Sequence, residues 1–159
     1  MSRSRLATLL RYAWASPASV LGLAAAAAAC ATGATARRVD GVLEVAGGEL
    51  VRRLGNARAC RRFSAVTLGH VVLGTSHAVL DAHRAHEHEH VRQYERWGLF
   101  FFAGYFASSA VQWLSGRDAY WHNSFERSAR AAARRAQSAA SPQAAVGNGR
   151  DPGSSSPAG

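Results

Sequence analysis

The sequence predicts an α+β protein, mainly helical with a small β-sheet, built as an N-terminal transmembrane helix followed by a compact domain. Three observations carry that expectation. Tyr12 to Ala36 is a window of 25 residues without a charge, and a membrane-spanning helix needs about 20 mostly apolar residues. Ser76 can cap a long helix running from about His77 to Trp97. Between these stretches lie β-branched, glycine-bounded segments that read as strands.

A chain of 159 residues has room for one small domain plus a membrane segment. All 19 basic residues are arginine, and with 10 acidic residues the formal charge is +9. Such a balance suits anionic lipid head groups or nucleic acid. There is no nucleic-acid motif and no regular basic–aromatic interleaving, so the expected partner is the lipid membrane and no nucleic acid is expected. The two cysteines, Cys30 in an apolar run and Cys60 in an arginine-rich stretch, do not suggest a disulfide. Two thiols also fall short of the four that ordinary iron–sulfur clusters use. Any metal site must therefore come from His, Glu and Asp.

In chain order, residues 1–11 form a basic segment with Arg3, Arg5 and Arg11. Residues 12–36 are the transmembrane helix, alanine-rich and uninterrupted by charge. Ala34-Thr35-Ala36 also fits a small-x-small cleavage site, so a signal peptide is the rival assignment. Residues 37–136 form the domain. Val39 to Val45 alternates and ends at Gly47-Gly48, as a short strand and a turn would. Glu49 to Arg62 reads as a short basic helix broken near Gly55-Asn56. Phe63 to Gly74 reads as one or two strands, with a hairpin turning at Gly69. After the helix of His77 to Trp97, Leu99 to Ser115 is an uncharged apolar helix rich in aromatic residues. A further helix is expected near Asn123 to Ala136. Residues 137–159, rich in Ser, Pro, Gly and Ala, are expected to be disordered and to hold no site.

The long helix contains H-E-x-x-H, with His86, Glu87 and His90 in the motif positions. Residues four apart share a helix face, so two imidazoles can grip one ion. Zinc suits neutral imidazole, and the intervening glutamate stands where it can take a proton from a water. His83, His86, His90, Gln93 and Trp97 fall on roughly one stripe. Gln93 is expected to support a ligand from behind. His88 faces away and is expected to be solvated, while His70 and His77 are expected at the surface or a strand end.

A catalytic zinc usually takes three protein ligands and keeps one position open. Glu126 is the best third ligand. It has a competing reading, because Asn123 and Glu126 have capping-box spacing and Glu126 with Arg130 makes an i,i+4 pair. His83, on the same stripe, and His122, near the start of the next helix, are alternative ligands.

The run His86 to Gly98, with Gly116-Arg117-Asp118-Ala119-Tyr120 and Asn123-Ser124-Phe125-Glu126, resembles a group of small uncharacterised bacterial membrane proteins. These carry H-E-x-x-H-V-R-Q-Y, a later N-P-F-E and a strand similar to Val66 to Leu73. The H-E-x-x-H-x-x-Q core also resembles zincin-like metallopeptidases of the gluzincin type. The resemblance covers roughly residues 12–130. It implies a zincin-like domain, His86, His90 and Glu126 as zinc ligands, and Glu87 as catalytic base. Ser124 stands for the usual proline and Leu99 for a proline after Trp-Gly, which affects turns rather than ligands.

The function expected is that of a membrane-anchored zinc metallopeptidase, hydrolysing a peptide or protein substrate with a water activated by zinc. Tyr94, Tyr120 or an arginine would steady the oxyanion. The alternatives are a non-enzymatic membrane protein with a structural or degenerate metal site, and a two-span protein without metal. Topology separates them. Were both apolar segments to span, Glu126 would lie across the membrane from His86 and His90. A complete site requires 99–115 to be re-entrant, interfacial or packed in the core. Ten arginines in 37–96 and five in 117–135 favour one side for both regions, the cytoplasmic side of the bacterial inner membrane, with a single span. Phe100 to Phe106 would then dip among the head groups.

Overall fold

The computed structural model of the chain describes residues 3–56 and 64–140. In order these form α1 (Arg3–Ala31), β1 (Ala34–Val39), β2 (Val42–Gly47), α2 (Gly48–Asn56), β3 (Ala65–Leu68), β4 (Val71–Gly74), α3 (His77–Trp97), α4 (Phe100–Leu114) and α5 (Ser124–Ala140). The α+β class expected from sequence is what the chain adopts: mostly helix, with one mixed four-stranded sheet in the order β1-β2-β4-β3.

The sheet consists of two antiparallel hairpins joined in parallel along β2 and β4. The stretch Val39 to Val45, expected as a single strand, is instead the tip of the first hairpin. Val39 pairs with Val42 around Asp40-Gly41, whose φ angles of 49° and 84° are those of the tight turn that Asp-Gly favours. The second hairpin turns at Gly69-His70, as expected, with Leu68 opposite Val71. The predicted basic helix 49–62 corresponds to α2; its residues 57–62 lie outside the described residues, as do Phe63 and Cys60.

Side chains alternate across a strand, and the two faces of this sheet receive different helices. On one face Val45, Val71 and Leu73 pack with Ala26 and Ala29 of α1 and Val51 of α2. On the other, Val42, Ala46 and Val72 pack with Leu80 and Val91 of α3. The buried side of α1 is a stripe of small residues: Ala15, Ala18, Gly22, Ala26 and Ala29. At Gly22 a Cβ would lie 2.6 Å from the Leu68 carbonyl oxygen and 2.7 Å from Val71 Cβ, so only glycine lets the helix approach this closely. Leu10, Trp14, Leu21 and Leu23 point outward instead.

Helix α3 is fixed to the sheet by charge as well as packing. Glu44 on β2 is 2% exposed. It accepts from Arg37 Nε of β1 at 2.8 Å and from Arg84 Nε of α3 at 2.9 Å. His88, expected in solvent, faces this same network, with Nε2 3.9 Å from Glu44 Oε1. The reason is that α3 is covered on both sides, by the sheet and by α5, so residues opposite the motif face are buried too.

The segment 99–115 folds back onto the domain. Phe101 of α4 packs against Tyr94 of α3 and edge-on against Phe125 of α5, with ring centroids 4.3 and 5.3 Å apart. Asn123 is fully buried; its Oδ1 caps α5 by accepting from Phe125 N–H, and its Nδ2 donates to Tyr105 O at 3.0 Å and Ser109 Oγ at 2.7 Å. Consequently α5 lies against α3, on the same side as the motif.

The apolar window 12–36 differs from the helix formed. Helix α1 begins earlier and ends at Ala31, and Ala34–Ala36 open β1. Among the described residues one helical stretch, Leu9–Ala31, is long and apolar enough to cross a membrane. At the other end, residues 137–140, assigned to a disordered tail, continue α5; the rest of that tail lies outside the described residues.

Candidate metal centre

Helix α3 starts at Ser76, whose hydroxyl accepts from Val79 N–H, and stops at Gly98. Between these ends the four-residue spacing of His86 and His90 brings their Nε2 atoms to 3.2 Å. Helix α5 brings Glu126 to them: Oε2 lies 3.4 Å from His86 Nε2 and Oε1 3.5 Å from His90 Nε2. The candidate ligand atoms of His86, His90 and Glu126 all lie within 4.8 Å of one another. Glu126 is thus not the second half of a capping box. Asn123 caps through its own side chain, and its backbone N–H donates to Tyr120 O. The i,i+4 partner is present as well, with Arg130 Nη1 3.8 Å from Glu126 Oε2.

The surroundings orient these groups. Gln93 donates through its amide to the Phe125 carbonyl at 3.1 Å, which turns its own oxygen toward His90. That oxygen accepts His90 Nδ1–H at 2.8 Å, leaving the Nε2 lone pair facing His86 and Glu126. Tyr105, a residue not foreseen from sequence, donates to Glu126 Oε1 at 2.8 Å. Thr67 on β3, also unforeseen, donates to Glu87 Oε2 at 2.7 Å. Glu87 is buried beside the triad and shares the wall of its cavity.

The donor set fits a divalent cation. Two imidazole lone pairs cannot face each other at this distance without a proton or cation between them. Glu126 Oε2 is buried and makes no hydrogen bond; with Arg130 no nearer than 3.8 Å, it has room to accept a closer donor or cation. Two neutral imidazoles and a carboxylate suit zinc. The electrostatics run the same way. Burial opposes the charge on Glu126, but His86, His90 and the Tyr105 hydroxyl outweigh it and hold the carboxyl far below the usual range. Burial likewise opposes protonation of His90, yet Glu126 raises its pKa above the ordinary value of 6.5. Tyr120 is pushed up to about 12 by burial and by the same carboxylate, so it stays a neutral donor.

The alternatives stand outside the triad, although His83 lines the same cavity. His83 is exposed, and its Nδ1–H is taken by the Val79 carbonyl. His122 is exposed, with Nδ1 on the Asp118 carbonyl. Among the described residues neither joins the triad's cluster. His70, expected at the surface or a strand end, sits in the turn just before β4 and is buried between Ser19 and Glu95. His77 meets Thr35 Oγ1 at 2.9 Å. Of the residues considered for an oxyanion, Tyr94 is 1% exposed and packed in the aromatic core. Tyr120 and Arg130 line the cavity next to Glu126.

That cavity, about 680 Å³, runs along β3 on one side and the aromatic residues of α4 on the other. No protein-family profile, curated protein or solved structure matches the chain.

Proposed function

We propose that the protein is a membrane-attached zinc metallopeptidase with a zincin-like site, held at the bacterial inner membrane with its domain on the cytoplasmic side. The observation that carries this reading is the convergence of His86, His90 and Glu126 beside Glu87 on the wall of one open cavity. Zinc in that position would polarise a water and the scissile carbonyl. His86, His90 and Glu126 would hold it, with Gln93 keeping His90 in the required tautomer. Glu87, steadied by Thr67, would take the water's proton and deliver it to the leaving amine. Arg130, which lines the cavity and whose Nη1 makes no hydrogen bond, could donate to a developing oxyanion. Among the described residues three donors converge, and a zinc held by three protein ligands would keep a position for water, which favours catalysis over a closed structural site.

The test is metal analysis of the purified protein. Wild type should carry one zinc that His86→Ala, His90→Ala and Glu126→Ala each lose. Glu87→Gln should keep the zinc and lose peptide hydrolysis. A wild-type protein that takes up no zinc sinks the reading.

A further inference from the structure

We propose that the protein sits in a single membrane leaflet, with α1 lying along the membrane rather than crossing it and α4 embedded beside the mouth of the cavity. This rests on the reading that the chain is membrane-attached and deepens it; it does not depend on the metal.

The first observation is the inverted pattern of α1. A helix on a soluble domain turns its large apolar residues inward. Helix α1 buries alanine and glycine and exposes Leu10, Trp14, Leu21 and Leu23. Its outward face is therefore made for an apolar surrounding. The polar half that an ordinary interfacial helix carries itself is here supplied by the folded domain.

The second observation is how far the domain accompanies the helix. Ala15 and Ala18 pack on Tyr94 and Phe101. Ser19 Oγ accepts the His70 backbone N–H at 3.1 Å and meets His70 Nδ1 at 3.1 Å. Gly22 lies on Leu68 and Val71, and Ala26 and Ala29 lie on Val45 and Leu73. Just past the helix, Thr32 Oγ1 accepts Leu50 N–H at 3.2 Å. Were α1 to cross the bilayer, the sheet would enter the hydrocarbon with it. That sheet is open, with β1 and β3 as edges, and open sheet edges do not occur in lipid.

The third observation is α4. Its outer face presents Phe100, Phe106, Trp113 and Leu114, which are 65, 67, 71 and 77% exposed. At 15 residues it is about 22 Å long, too short for a hydrocarbon core of about 30 Å. Exposed Arg96 and Arg117 flank it, as suits anionic head groups. The two apolar surfaces meet where Trp14 faces Phe100, ring centroids 6.2 Å apart.

Phe106 belongs at once to this exposed surface and to the cavity lining, and Trp121, also exposed, lines the cavity from the turn after α4. The cavity mouth therefore opens at the lipid surface, and a polypeptide segment lying on the membrane reaches it without leaving the interface.

The full chain tests this in two ways. In vesicles of phosphatidylethanolamine and phosphatidylglycerol, a variant retaining Trp113 alone (Trp14, Trp97 and Trp121→Phe) should shift its emission to the blue. Lipids brominated in the acyl chains should quench it. Emission that iodide quenches and bromolipid does not overturns the proposal. In cells, epitope tags at the two ends of the chain should be cut by protease from the same side of the membrane; tags on opposite faces overturn it. Zinc content measured on the same preparations separates the two ideas, since loss of zinc with Trp113 still buried in lipid would defeat the peptidase reading and leave this one standing.

Discussion

Gln93 serves two partners with one side chain: it fixes the His90 tautomer and holds the Phe125 carbonyl at the start of α5. Gln93→Leu removes both bonds while keeping the bulk. The expected result is a folded protein whose zinc affinity falls by about 10–100-fold, read by competition with a chromophoric chelator. At this scale the sequence was legible where the relation is local. His86, Glu87, His90 and Gln93 sit on one helix, and helical spacing alone gathers them. Glu126 was ambiguous because no local rule distinguishes a cap from a partner of the two histidines, and only the packing of α5 on α3 brings it to them. Thr67 and Tyr105 carried no signal, since a threonine in a strand and a tyrosine in an apolar run look the same whether or not a carboxylate awaits them.

At the scale of elements, the Glu44 network joins β1, β2 and α3. Burial works against the Glu44 charge, but Arg84 and Arg37 prevail and lower its pKa below the ordinary carboxylate value of 4.5. A carboxylate depressed on folding stabilises the fold above its unfolded pKa, and that stability is lost as pH falls through the folded value. Glu44→Gln should cost roughly 1–3 kcal/mol near neutrality. The gap to wild type should close on acidification below pH 4.5, measured as melting temperature against pH. The first hairpin was written in Asp40-Gly41, yet the alternation running through Val39 to Val45 disguised it as one strand. His88 was rightly turned away from the motif face but wrongly given to solvent: periodicity gives the faces of a helix, and says nothing of how many of them are covered.

At the scale of the molecule, α1 packs both against one face of the sheet and into the aromatic cluster, and is no appendage to the core. Cleavage after Ala36 would strip Ala26 and Ala29 from Val45, Val71 and Leu73. It would also remove Ala34, Thr35 and Ala36 from their pairing with Gly47, Ala46 and Val45. The expected outcome is that protein extracted from membranes keeps its N-terminal helix, as intact mass will record. The sequence announced α1 as apolar and long, which is enough for a membrane helix. It did not announce the sheet beneath it, because alanine reads equally well as lipid-facing or as close-packed.

The triad draws two donors from α3 and one from α5, elements that the chain joins by way of α4 and the turn before Asn123. An ion held there is therefore a clasp across the fold, and its binding is thermodynamically linked to unfolding. Each tenfold rise in free zinc above the dissociation constant should add about 1.4 kcal/mol to the stability of the folded state. The unfolding temperature of the wild type should climb with the logarithm of free zinc, while that of Glu126→Ala stays level, and calorimetry would make the protein report the zinc concentration around it.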